Sequence, residues 1–90
     1  MRRNDRALRY ELVLDGMVAG VADFRPDGEG VLVFPHTEID PRLRGRGLGE
    51  VLVRGALDDV RRQGSTVVPA CWFVAEFLDQ NPDYADLRAS

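Results

Sequence analysis

Lysine is missing from this chain, and cysteine, histidine and tryptophan each occur once. A single cysteine excludes an intrachain disulfide, which fits a reducing compartment. One histidine and one distant cysteine give a metal ion no ligand cluster, so no metal is expected. Long apolar runs are also missing. The longest, Val67 to Ala75, contains Pro69 and is far too short to cross a bilayer. The start, Met1-Arg2-Arg3-Asn4-Asp5-Arg6, is followed by no long apolar segment, unlike a secretion signal. The expectation is a cytoplasmic protein with no membrane partner. A formal net charge of -3 disfavours general affinity for nucleic acid.

What is present is an ordinary globular composition, 44% hydrophobic and 30% charged, over 90 residues, enough for one domain with a modest core. Residues 1–9 are expected to be a flexible N-terminus and 10–90 a single domain. The charge is uneven. Arg2, Arg3, Arg6 and Arg9 crowd the start; Arg42, Arg44, Arg46, Arg54, Arg61 and Arg62 crowd the middle; Glu76, Asp79, Asp83 and Asp86 make the tail acidic.

Strand signals come first. Tyr10, Leu12 and Leu14 alternate with their neighbours, and Asp15-Gly16 then marks a hairpin into a return strand, Met17 to Phe24. Pro26-Asp27-Gly28 with Gly30 is a second turn cluster before a third strand, Val31 to Ile39. Together these predict a three-stranded antiparallel meander. Pro35 has no N–H to give a ladder, so a bulge or edge is expected there. By alternation His36 and Glu38 share a face with Leu32 and Phe34, unless that bulge breaks the register.

Leu48, Val51, Leu52, Val53, Ala56, Leu57 and Val60 then predict a helix from about Gly47 to Gln63, with Gly64 past its end. Thr66-Val67-Val68 reads as a strand, and strand–helix–strand implies a right-handed crossover to a parallel neighbour. Trp72, Phe73, Val74, Phe77 and Leu78 fall at helical spacing, and Asn81-Pro82-Asp83 ends that C-terminal helix. The fold class is α/β (α+β).

Between the third strand and the central helix lies Arg44-Gly45-Arg46-Gly47-Leu48-Gly49. A helix start offers unpaired N–H groups and partial positive charge, and glycines let backbone approach a ligand, which together suit a phosphate. The duller alternative is a plain loop with solvated arginines. The dinucleotide spacing G-x-G-x-x-G fails, because Glu50 stands at its last glycine, and the triphosphate loop needs the lysine this chain lacks.

Arg44, Gly47 and Gly49 do satisfy Arg-x-x-Gly-x-Gly, which resembles the pyrophosphate signature of the GNAT superfamily of N-acetyltransferases, (Gln or Arg)-x-x-Gly-x-(Gly or Ala). The remainder resembles a short, minimal acetyltransferase-like branch. His36-Thr37 stands at the end of the strand before the loop, Pro69-Ala70-Cys71 follows the next strand, and Asn81-Pro82-Asp83-Tyr84 stands where the branch has His-Pro-(Glu or Asp)-Tyr. Asn81 departs from that pattern, so any role of the imidazole does not carry over. The resemblance spans about residues 10 to 87.

The resemblance implies acetyl-coenzyme A held between two splayed strands, its pyrophosphate on the amides of Arg44, Gly45, Arg46, Gly47, Leu48 and Gly49. Its pantetheine would run along Thr37, Glu38 and Ile39, and a backbone N–H there would meet the thioester oxygen. The implied activity is acetyl transfer to an amine, small molecule or protein, by direct attack on the thioester. The candidate catalytic residues are Cys71, as an acetyl-accepting nucleophile, and His36 or Glu38, as proton acceptor. Each has a plainer reading: Cys71 as a small core residue, His36 as a strand-end cap, Glu38 as a solvent-facing carboxylate. Tyr84 is a weaker candidate proton donor to the leaving thiolate. The two helices that larger members place after their first strand have no counterpart, which leaves the acceptor site open or for a partner to complete. Competing readings are a module that binds coenzyme A or acyl-CoA without turnover and, against the charge balance, a nucleic-acid binder. The chain is expected to be a monomer or weak dimer.

Overall fold

The computed structural model describes residues 1–89. In order the elements are β1 (Arg2–Asn4), β2 (Arg9–Leu14), β3 (Met17–Pro26), β4 (Val31–Ile39), a 3-10 turn (Pro41–Leu43), α1 (Leu48–Arg62), β5 (Thr66–Val68), α2 (Trp72–Gln80) and a second 3-10 segment (Pro82–Leu87). One five-stranded sheet carries them in the order β1-β2-β3-β4-β5, antiparallel except for the parallel β4–β5 pair. The meander, crossover helix, parallel strand and C-terminal helix are those the sequence predicts.

The meander has four strands rather than three. Residues 1–9, expected to be flexible, supply β1, with Arg2 opposite Glu11 and Asn4 opposite Arg9. No apolar alternation marks this strand; charge holds it. The Glu11 carboxylate accepts from Arg2 Nε and Arg9 Nε, each at 2.7 Å, and from Asn4 Nδ2 at 3.3 Å. The three side chains cover Glu11 until 1% of it is exposed.

Asp15 and Gly16 both take positive φ, at 51° and 78°, so the hairpin has the twist that an Asp-Gly pair favours. Tyr10, Phe24 and Phe34 stack in the core with centroids 5.3 to 6.3 Å apart. The Tyr10 hydroxyl, at the end of a fully buried ring, donates to Asp59 Oδ2 at 2.7 Å. Leu52, Val53, Ala56, Leu57 and Val60 of α1 and Val74, Phe77 and Leu78 of α2 join the same cluster. Both helices thus lie on one face of the sheet, and among the described residues the other face carries none. Burying each large side chain of this kind stabilises the fold by about 1.5–3 kcal/mol.

α1 starts after Gly47, a left-handed cap at φ 72°, and ends at Arg62, with Gln63 as its C-cap and Gly64 next at φ 73°. Glu50 in its first turn and Arg61 and Arg62 in its last suit the helix dipole.

Candidate functional site

The site begins where β4 changes register. Asp23 of β3 pairs with His36, but Arg25 pairs with Val33, so Phe24 faces two residues, Phe34 and Pro35. That extra residue is a β-bulge, and its cause is local. Phe34 is anchored in the aromatic core at 1% exposure, while Pro35 has no N–H to give and turns outward. The bulge exchanges the faces expected from simple alternation. Beyond it Thr37 and Ile39 point to the helix face: Ile39 packs on the core, and the Thr37 hydroxyl meets Cys71 Sγ at 3.7 Å. His36 and Glu38 point to the opposite, helix-free face, not to that of Phe34.

The bulge also separates β4 from β5. The parallel ladder runs only from Val31 to Val33. Its last bond is Cys71 N–H to the Phe34 carbonyl at 2.8 Å, which marks the apex of the split. Above that point the alternation of β4 sorts its main-chain groups. Asp40 N–H donates to Ala19 O on β3 at 2.8 Å, so Glu38 opposite Val21 and His36 opposite Asp23 also turn theirs to β3. The N–H and C=O of Thr37 and Ile39 turn to the vacated side. The backbone of Glu38, expected to pair with pantetheine, is therefore engaged within the sheet.

The glycine turn closes the other end. Asp40 caps the 3-10 turn by accepting from Arg42 N–H at 2.9 Å and from the Arg42 guanidinium, which holds its carboxyl down at about 2. Gly45 and Gly47 lie in the left-handed region, at φ 84° and 72°, with open space where a side chain would stand. Among the described residues none accepts a hydrogen bond from the backbone N–H groups of Arg44 through Glu50. Such a row of free donors at a helix start has the geometry that suits an anion.

A cleft of about 510 Å³ joins the two ends, lined by His36, Thr37, Glu38, Ile39, Arg44, Gly49, Trp72 and Phe73. It continues into a second space of about 260 Å³ over Leu43, Gly45, Gly47 and Leu48. Arg44 lines both and has no carboxylate partner among the described residues. Arg46 lines neither. It projects to the far side of the turn, towards Leu14, Met17 and Val18 at the hairpin tip. Gly49 has a packing role: a Cβ there would lie 2.7 Å from Phe73 Cζ.

The catalytic candidates part company. His36 Nε2 and Glu38 Oε2 lie 3.5 Å apart, with side chains 56% and 60% exposed, at the cleft rim. Cys71 lies below the cleft, 8% exposed and part of the core, and caps α2 with its backbone. Tyr84 is remote from the cleft. Its hydroxyl donates to Asp58 at 2.7 Å, and burial together with that bond raises its pKa. Asn81 accepts from Arg54 at 3.2 Å and donates to the Phe77 carbonyl at 2.8 Å, a helix-end role. Sequence reasoning did not find that Trp72 and Phe73 wall the cleft; their spacing gave only a core helix. Among the described residues no group of His, Cys, Asp and Glu suits a metal ion. No helix among the described residues is long and apolar enough to cross a membrane.

The model of GCN5-related N-acetyltransferases matches residues 9–87. The chain belongs to that family. Similar proteins include Protein NATD1 of Bos taurus, 33% identical over 55 residues, which are 61% of this chain and 49% of that one. Protein NATD1 of Homo sapiens is 31% identical over the same share of each. This acetyltransferase-family chain spans about half the length of the curated relatives it matches. The solution structure of a GCN5-like protein from Staphylococcus aureus has the same fold, with a TM-score of 0.69 at 18% identity, over 90% of this chain and 79% of that one.

Proposed function

We propose that this family member binds acetyl-coenzyme A in the split between β4 and β5 and moves the acetyl group to an amine. The observation that carries this reading is the pairing of two sets of unused main-chain groups. Thr37 and Ile39 offer one set along the wall of the cleft, and the amides of Arg44 to Glu50 offer the other at its end. Extended pantetheine matches the first by strand-like pairing, and a pyrophosphate matches the second. Arg44 adds an unpaired positive charge beside both.

The cofactor supplies an acetyl thioester; the protein supplies position and proton handling. The Thr37 N–H points into the cleft, available to negative charge that develops on the thioester oxygen. The incoming amine forms the N–C bond as the C–S bond breaks. It gives up a proton to His36 or Glu38, directly or through water, and the thiol leaves as thiolate. Cys71, buried under the cleft floor, is not needed in this sequence.

Titrating isotope-labelled protein with acetyl-coenzyme A tests the reading. Amide shifts are expected at residues 44–49 and at Thr37 and Ile39, and acetylated amine is expected by mass spectrometry. Unshifted loop amides at millimolar cofactor would refute it. The exposure of His36 and Glu38 favours one rival, a module that holds coenzyme A without turnover; loop shifts with no acetylated product would establish that instead.

A further inference from the structure

The helix-free face of the sheet carries a second groove that shares a residue with the cleft. It holds about 290 Å³ and is lined by Val18, Ala19, Gly20, Val21, Glu38, Asp40, Pro41 and Arg42. Glu38 belongs to both. The reason lies in the bulge. By putting Thr37 and Ile39 on the helix side, it sends the intervening side chain through to the other face, at the edge where β5 has left. Glu38 therefore stands at the one place where the two faces communicate.

The chemistry of the groove is graded along its length. At one end is the Glu38 carboxylate, whose only side-chain hydrogen-bond partner among the described residues is His36. The middle is apolar: Val21 lies directly across the ladder from Glu38, and Val18 leaves 40% of its surface in water. Pro41 forms the rim. At the far end Arg42 and Asp40 neutralise one another at 2.8 Å, so that end offers no net charge to a ligand. On the same face Arg2 and Arg9 are spent on Glu11, and Arg25 stands farther along β3, opposite Val33 and outside the groove.

A negative end, an apolar middle and a neutral far end fit one class of molecule. We propose that this groove seats the acyl acceptor: an alkylammonium with its nitrogen at Glu38 and its hydrocarbon stem along Val18, Val21 and Pro41. The assignment rests on the reading of the cleft as the acetyl-coenzyme A site. The acceptor then approaches from the face opposite the helices and reaches the thioester through the split. Its ammonium passes one proton to Glu38, directly or through water; the freed lone pair forms the N–C bond while the C–S electrons leave with sulfur, and the nitrogen's second proton goes to that thiolate or to water. The same stem-and-ammonium chemistry occurs in free aliphatic amines and in a lysine side chain.

The test uses labelled, acetyl-coenzyme A-loaded protein, titrated in parallel with ethylamine, hexylamine and a capped Gly-Lys-Gly peptide. Hexylamine should shift the amides of Val18 to Val21 and Glu38 and bind about tenfold more tightly than ethylamine, for four partly covered methylenes. Val18→Ser and Val21→Ser should each lower that preference several-fold in KM while kcat and the KM for acetyl-coenzyme A hold. Thermal melting confirms that each variant is folded. Shifts with hexylamine alone point to a free amine and shifts with the peptide to a protein-borne lysine; either upholds the groove. Equal binding of ethylamine and hexylamine, or no shift at residues 18–21 with either probe, overturns the acceptor assignment and leaves the cofactor reading standing. Loop amides at 44–49 that ignore acetyl-coenzyme A remove the cofactor reading itself, and the groove assignment with it.

Discussion

The Phe73 ring lies over Gly49 so closely that a single added methyl would come within 2.7 Å of Cζ and 3.3 Å of both neighbouring ring carbons. The glycine is a packing requirement between α1 and α2, not a requirement of backbone conformation. Phe73 also walls the cleft, so relief at Gly49 displaces part of that wall. Gly49→Ala should cost about 1–3 kcal/mol of stability from overpacking. It should also weaken acetyl-coenzyme A binding. Melting and titration of one variant check both, and loss of stability with unchanged binding would place the ring's movement elsewhere.

Gly47 is the opposite case. Nothing lies within 4 Å of where its side chain would stand, but its φ is 72°. A Cβ is strained there by about 1–2 kcal/mol whatever the space around it. Gly47→Ala should therefore bend the turn and misdirect the amides that follow, with amide shifts on titration lost over residues 44–49. Gly47→Asn, which tolerates the left-handed region better, should recover part of the response. Equal loss in both variants would mean that bulk rather than conformation matters.

These two glycines show what the sequence made legible and what it hid. The order of elements was readable because Asp15-Gly16, Gly64 and the helical spacing of Leu52, Leu57 and Val60 each carry a local rule. The bulge was also readable, since Pro35 cannot sit in a regular ladder. Its consequence was not: alternation alone set His36 and Glu38 beside Phe34, and only the register across β3 shows that they are turned through the sheet. In the same way Gly47 and Gly49 look alike in a motif, and only coordinates separate a turn residue from a contact residue. β1 escaped notice because ion pairs hold it rather than an apolar face.

Glu11 makes that last point measurable. Hydrogen bonds from Arg2 and Arg9 hold its carboxyl down to about 2 from an ordinary 4.5. A carboxyl depressed in the folded state binds fewer protons there than in the unfolded chain. Its contribution is thus complete above about pH 4.5 and is lost as pH falls towards 2. Glu11→Gln should destabilise at pH 7 by about 1–2 kcal/mol, a modest figure because the covering arginines are themselves in water. The variant's urea midpoint should also fall less steeply than the parent's between pH 4.5 and 2. Parallel acid limbs would show that Glu11 does not tie β1 down.

Cys71 decides between two chemistries. An acyl-enzyme route needs its thiol to meet the thioester, yet the side chain is 8% exposed, belongs to the core and touches Thr37 at 3.7 Å beneath the cleft. Direct attack by the amine asks nothing of it. Cys71→Ala removes one buried sulfur and should cost about 1 kcal/mol of stability as a small cavity opens. It should leave kcat within a few-fold of the parent, and intact-mass measurement after acetyl-coenzyme A alone should find no acetylated enzyme. A nucleophile would behave otherwise: its removal would stop turnover by orders of magnitude, and acetyl would accumulate on the parent at Cys71 before any amine was added. The buried thiol, two strands' parting and an open rim at His36 and Glu38 together favour the first outcome.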